Sequence, residues 1–121
     1  MEIVTVAEMR EIEREGFEAG TSYEAMVDMV GKAVAAEVDR YPRGLRITGL
    51  IGKGNNGADT IVALLELKKK GRAVRAILID ERKEDIYEAR LRMGCVPTAA
   101  LGSAEVGTQV RAFLSETDLI L

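Results

Sequence analysis

The residues best suited to chemistry lie together in Gly52-Lys53-Gly54-Asn55-Asn56-Gly57-Ala58-Asp59, called here the Asn-Asn segment. It follows an apolar run over 45–51 and precedes a helical pattern over 61–70. Glycine lets the backbone approach a ligand closely, and a helix start offers free N–H donors to an anion. The asparagines and the aspartate add amide and carboxylate groups that a plain turn does not need. The segment therefore predicts one wall of a small-molecule site.

Two other interpretations of the Asn-Asn segment stay open. Gly52, Gly54 and Gly57 satisfy the dinucleotide spacing G-x-G-x-x-G, and Asp80 lies about where a ribose-binding acid is expected. The segment is not a Walker A loop, because no Gly-Lys-Ser/Thr follows Gly57. The simplest alternative is a structural turn, in which the asparagines only tolerate unusual dihedral angles and Asp80 is a turn residue at a strand end.

Composition restricts the chemistry that the chain can perform. It has no histidine and one cysteine, Cys95, so neither a zinc centre nor a histidine-based triad can be built from it. Acid–base chemistry must fall to carboxylates, lysine or tyrosine.

Charge and hydropathy favour one small globular domain over 1–121. The net charge is −3 and aromatic residues make up 4% of the chain, so we expect no nucleic-acid partner. No apolar stretch is long enough to span a bilayer and no basic-then-apolar leader is seen, so we expect no membrane partner and a cytoplasmic location.

Hydrophobic periodicity gives two helices followed by alternating strands and helices. A first helix is predicted over 7–19, and a second helix begins near Thr21 and runs to about Val38. Strands are then predicted over 45–51 and 73–79, and each strand is followed by a helix. A short extended piece at Pro97, a last helix to about Leu114 and a strand at 118–121 follow. Alternation at this spacing predicts an α/β, Rossmann-like open parallel sheet with helices on both faces, a three-layer αβα architecture. Ligands bind such sheets at the carboxyl ends of the strands, where the Asn-Asn segment falls.

Local signals predict how these elements begin, end and pack. Thr21 and Glu24 have capping-box spacing, and Gly31 indicates close packing of the second helix. Asp59 or Thr60 is predicted to cap the third helix, and Ser103 the last one. Residues 68–70 are expected to be a solvated lysine helix end, and Cys95 a core residue.

Three blocks of the sequence resemble the NAD(P)H-hydrate epimerase family, often called the YjeF N-terminal domain. They are the opening residues 1–13, the block Gly31-Lys32-Ala33-Val34-Ala35, and the Asn-Asn segment. The resemblance covers most of the first 80 residues and corresponds to the N-terminal half of that domain. The chain stops inside a predicted strand, so we expect 1–121 to be a partial domain.

This resemblance implies an isomerase of cofactor repair that interconverts the R and S epimers of hydrated NADH and NADPH. Asn55, Asn56, Gly57, Ala58 and Asp59 would then contact the substrate, and Asn56 would bind a potassium ion through its amide oxygen. The catalytic aspartate of the family is expected beyond Leu121, so this chain alone should have little epimerase activity. A homodimer is compatible with this resemblance.

Three departures from the family pattern favour an alternative function. Ala58 and Thr60 stand where the family usually has glycine, and Met29 stands where it usually has asparagine. A Cβ at Ala58 is expected to crowd the ligand. The alternative is a non-catalytic ligand-binding or dimerisation module of the same fold.

Overall fold

The structure of the chain is a computed structural model that describes residues 7, 11, 14, 22–80, 82, 85–101 and 106–121. Most of the helix predicted over 7–19, and the cap predicted at Ser103, lie outside this part. Its helices are α1 (Tyr23–Val38), α2 (Asn55–Lys69), α3 (Ile86–Met93) and α4 (Val106–Ser115). Its strands are β1 (Arg46–Ile51), β2 (Ala73–Leu78), β3 (Thr98–Ala100) and β4 (Leu119–Ile120).

The strands form one parallel sheet in the order β3-β2-β1-β4. β1 and β2 pair along their full length, from Arg46 opposite Ala73 to Ile51 opposite Leu78. The chain moves outward from β1 to β3 and then returns across the sheet to β4 beside β1. Right-handed crossovers place α2 and α3 on one face and α4 on the other. The predicted parallel sheet with helices on both faces is confirmed.

The main core lies between the sheet and helices α1 and α2. Alternate strand residues face it, as the two-residue period of a strand requires. The buried strand residues are Ile47, Ile51, Val74, Ala76 and Leu78; the buried helix residues include Val27, Val30, Val34, Ile61, Leu64 and Leu67. A Cβ on Gly31 would lie 2.4 Å from Cγ1 of Val62, so the close packing predicted at Gly31 is confirmed.

Several helix ends differ from the sequence prediction. The N-cap of α1 is Ser22, whose hydroxyl accepts from the Ala25 N–H at 3.3 Å, one residue after the predicted Thr21. Lys68 is more than a solvated helix end, because its Nζ donates to the carbonyls of Gly94 and Cys95 at 2.5 and 2.8 Å. Cys95 is exposed and has a φ of 57°, so its prediction as a core residue is wrong. A residue in this turn conformation leads the chain away from α3 rather than into the core.

Within the described residues, no helix has both the length and the apolar character that spanning a bilayer requires.

Candidate functional site

The Asn-Asn segment divides into a short loop and the first turns of α2. Gly52–Gly54, called here the glycine loop, connects β1 to the helix, and Gly54 is the N-cap. The Gly57 N–H donates to the Gly54 carbonyl at 3.1 Å, so helical bonding begins at this point. Asp59 is therefore the fifth residue of α2, and the prediction that Asp59 or Thr60 caps this helix is wrong. The Thr60 hydroxyl instead donates back to the Asn56 carbonyl at 2.9 Å.

The glycine loop lies at the carboxyl edge of the sheet, as the sequence predicts. It follows β1, which is flanked by β2 on one side and β4 on the other. The chain runs from β1 to β2 and β3 on one side and then returns to β4 on the other side of β1. The carboxyl ends of β1 and β4 therefore form the topological switch point of the sheet. Parallel α/β sheets bind ligands in the crevice at such a point. The topology therefore supports the placement of a site here.

Asn55 and Asn56 are the side chains of the segment with access to solvent beyond the glycine loop. Asn55 is exposed, and its Oδ1 accepts from the Tyr23 hydroxyl at 2.9 Å. Within the described residues, no hydrogen bond occupies the Nδ2 donors of Asn55. Asn56 is half-buried, and its side chain enters no hydrogen bond with the residues described here.

Gly57, Ala58 and Asp59 are closed off from solvent. Gly57 is buried beneath the glycine loop, and Ala58 and Asp59 are both 0% exposed. Ala58 belongs to the hydrophobic core, so its Cβ fills the interior rather than crowding a ligand. The structure therefore separates the five predicted contact residues into a solvent-accessible pair and a buried group.

Arg82 lies against the glycine loop and close to Gly57. Its Nη1 donates to the carbonyls of Gly52 and Gly54 at 2.6 and 2.9 Å, and its Nε is hydrogen-bonded to Asp85. Sequence reasoning missed this residue, because it stands among charged neighbours in 80–85 with no local pattern that distinguishes it. Tyr23, whose hydroxyl donates to Asn55, likewise has no local sequence pattern that marks it as part of the site.

Asp80 follows β2 at the same edge. Its Oδ2 lies 3.9 Å from the position that a Cβ on Gly52 would occupy. The structure thus brings the exposed Asp80 next to the glycine loop, as the dinucleotide interpretation expects of a ribose-binding acid. Lys53, in the loop itself, is exposed.

Tyr87, in the first turn of α3, adds a buried phenol close to Tyr23 of α1. Burial is the main cause that raises its pKa, and the nearby Tyr23, Glu24 and Asp28 raise the pKa further, whereas Arg90 opposes them. The hydroxyl therefore stays protonated at neutral pH.

The donors at the glycine loop are neutral oxygens, which are hard ligands. Within the described residues, no group of three or more His, Cys, Asp or Glu side chains converges. The carbonyl oxygens of Gly52 and Gly54 are already bonded to Arg82. The Asn56 amide remains as a neutral oxygen donor at the carboxyl edge. Weakly hydrated monovalent cations suit such neutral oxygens.

Comparison with known proteins shows that the chain is similar to NAD(P)H-hydrate repair enzymes. No protein-family model matches it. It is 34% identical over 105 residues to the bifunctional NAD(P)H-hydrate repair enzyme Nnr of Pyrobaculum aerophilum, an alignment that covers 83% of this chain. It is 36% identical over 76 residues, 60% of the chain, to the enzyme of the same name from Gloeobacter violaceus.

A solved structure shares the fold. The crystal structure of yeast ynu0, YNL200c, matches 99% of this chain with a TM-score of 0.70 at 20% identity. The chain spans 55% of that yeast protein, and only 21% and 15% of the two repair enzymes.

Proposed function

Because this chain belongs to the family of the YjeF N-terminal domain, found in NAD(P)H-hydrate epimerases, we propose that it takes part in NAD(P)H-hydrate epimerisation. Its substrate would be hydrated NADH or NADPH, bound at the carboxyl edge of β1. The observation that carries the proposal is the exposed Asn55 and Asn56 pair at the start of α2, beside the glycine loop, in a chain related to hydrate-repair enzymes.

The start of α2 is suited to the anionic part of such a substrate. Gly54 caps the helix without a side-chain hydrogen bond, so the first N–H groups of the helix are not occupied by a capping side chain. Their dipoles favour negative charge, and the exposed Lys53 adds a positive charge next to them. We expect a phosphate of the dinucleotide to bind here. Asp80, beside Gly52, is placed to accept from a ribose hydroxyl.

Asn55 and Asn56 would have different roles in this site. Since the Tyr23 hydroxyl occupies Oδ1 of Asn55, we expect Asn55 to donate its amide hydrogens to the substrate. Asn56, with no side-chain partner in the described part of the chain, would offer its amide oxygen to a potassium ion. That ion would supply positive charge for orienting the substrate. Gly57 would contribute close packing beneath the loop, and Ala58 and Asp59 would support the site from the interior.

Binding of hydrated NADPH to this chain tests the proposal. We expect calorimetric titration to show binding to the wild-type chain and an affinity about tenfold lower for Asn56→Ala, because one hydrogen-bonding or ion-binding amide is lost. Gln109→Ala is a matched control, since it removes an exposed amide from α4 on the opposite face of the sheet. It should leave the affinity unchanged.

Potassium provides a second measurement on the same variants. Replacing potassium by tetramethylammonium should weaken binding to the wild-type chain but change little for Asn56→Ala. Equal affinities for the wild-type and Asn56→Ala chains would remove this segment from the site. Because this chain alone is expected to have little epimerase activity, the titrations measure binding and not turnover. Interconversion of the epimers well above the spontaneous rate, followed by chromatography, would contradict that expectation.

A further inference from the structure

We propose that Arg82 is a positioning residue that fixes the glycine loop in its binding conformation, with Asp85 holding the guanidinium in place. The effect on ligand affinity rests on the function proposed above. The effect on the loop itself rests only on the geometry that follows.

The contacts of Arg82 are made almost entirely out of solvent. Its side chain is 5% exposed and that of Asp85 is 16% exposed. A buried guanidinium is stable only when its donors are bonded and its charge is balanced. The Gly52 and Gly54 carbonyls meet the first condition, at 2.6 and 2.9 Å from Nη1. Asp85 meets the second through its bond to Nε. Arg82 and Asp85 thus form a buried ion pair that is hydrogen-bonded to the glycine loop, not an exposed charge on the surface.

These bonds determine where the loop directs its own donors. A trans peptide group is planar, with its C=O and N–H pointing in opposite directions. No peptide bond of the described chain is cis. Because the Gly52 and Gly54 carbonyls point toward Arg82, the N–H groups of Lys53 and Asn55 in the same peptide groups point away from it. Arg82 therefore turns two backbone donors away from itself, and the proposal places the ligand on that side.

Gly57 shows how closely the loop is held against its neighbours. A Cβ at this position would lie 2.2 Å from the Gly52 carbonyl oxygen and 2.5 Å from Nη1 of Arg82. There is no room for the loop to approach α2 further. A loop without the Arg82 bonds could therefore move away from α2 but not toward it.

Asp85 connects this arrangement to the next helix. One carboxylate oxygen bonds Arg82, and the other accepts from the Tyr87 N–H at 2.8 Å as the N-cap of α3. The glycine loop after β1 is thereby joined to the helix that follows β2.

The chain contains a matched control at the other end of β2. Arg72 is also buried, donates to two carbonyls, those of Tyr41 and Pro42 at 3.1 and 3.0 Å, and pairs with one aspartate, Asp39. It precedes β2, whereas Arg82 follows it, so Arg72 lies at the amino edge, away from the proposed site. Arg72→Lys should reproduce the general cost of altering a buried arginine.

The experiment compares Arg82→Lys, Arg72→Lys and the wild-type chain by two measurements. In ligand-free protein, we expect the amide NMR resonances of 53–57 to shift in Arg82→Lys and to stay in place in Arg72→Lys, although thermal unfolding moves in both. In titrations with hydrated NADPH, we expect Arg82→Lys to bind about tenfold or more weakly, because a small misplacement of binding groups is costly. Arg72→Lys should bind as the wild-type chain does.

Asp85→Asn gives a second variant, since an asparagine can still cap α3 but no longer balances the charge of Arg82. It should shift the same loop resonances. Unchanged loop resonances in both Arg82→Lys and Asp85→Asn would overturn the inference. So would wild-type affinity in Arg82→Lys. If the wild-type chain does not bind hydrated NADPH, the proposed function fails, and the loop resonances alone then decide the role of Arg82.

Discussion

At the scale of single residues, the site depends on steric fit beneath the glycine loop. Gly57 is not among the described glycines with positive φ, which are Gly44 and Gly71. Glycine is required at position 57 because the Gly52 carbonyl and the Arg82 guanidinium occupy the space that a side chain would need. A substitution at Gly57 therefore acts on packing and on loop position together, not on backbone torsion.

Gly57→Ala should lower the free energy of unfolding by about 1–3 kcal/mol, the usual cost of inserting a methyl group into a packed site. It should also displace the glycine loop and weaken ligand binding. Gly107→Ala is the control, because a Cβ there meets nothing within 4 Å and the residue also lies in a helix. Its stability should change by less than about 1 kcal/mol. Urea unfolding of both variants checks this, and equal stabilities would show that the loop can move aside without cost.

At the scale of elements, the crossing of α1 over α2 places Tyr23 beside Asn55. Gly31 in α1 meets Val62 in α2 so closely that a Cβ would lie 2.4 Å from Cγ1 of Val62 and 3.1 Å from the Asp59 carbonyl oxygen. This close approach sets the distance between the two helices. It thereby sets the position of the α1 start relative to the Asn-Asn segment.

Gly31→Ala should destabilise the fold by about 1–3 kcal/mol, because the steric overlap outweighs the gain of about 1 kcal/mol in helix propensity. The neighbouring exposed Lys32→Ala should remain within about 0.5 kcal/mol of the wild-type chain. Chemical denaturation measures both. A Gly31→Ala chain as stable as the wild-type chain would mean that the helices separate freely, and that the crossing does not constrain Tyr23.

At the scale of the whole molecule, contacts between distant parts of the sequence complete the sheet. Arg46, at the start of β1, donates its backbone N–H and its Nε to Oδ2 of Asp118 at 2.8 and 3.1 Å. Asp118 precedes β4, so this pair fixes the last described strand beside the first. The hydrogen bonds from Arg46 hold the pKa of the Asp118 carboxyl below its ordinary value and raise the pKa of Arg46.

The Asp118 carboxyl should therefore stabilise the fold at neutral pH and less so in acid. Its pKa is lower in the folded chain than in the unfolded chain, where it is about 3.9. The contribution is thus complete above about pH 4 and is lost as the pH falls through the folded pKa. Asp118→Asn should lower the urea midpoint at pH 7, and the difference from the wild-type chain should shrink in acid.

The exposed pair of Glu37 and Arg40 provides the comparison for this prediction. Glu37→Gln should leave the urea midpoint almost unchanged at neutral pH, as is usual for a surface ion pair. A difference between Asp118→Asn and the wild-type chain that stays constant down to pH 2 would contradict the assigned role of the carboxylate charge.

The sequence by itself determined the order of strands and helices, the parallel sheet and the position of the Asn-Asn segment at its carboxyl edge. Those features follow from hydrophobic periodicity and from glycine and asparagine at a strand end, which act between near neighbours in the chain. Only the tertiary structure decided that Tyr23 holds Asn55, that Arg82 holds the glycine loop, and that Asp59 is buried. The hydrogen bonds of Tyr23 and Arg82 join residues 28 to 32 positions apart, and local patterns do not encode such pairings. The packing of α1 and the β2–α3 connection against the start of α2 creates them.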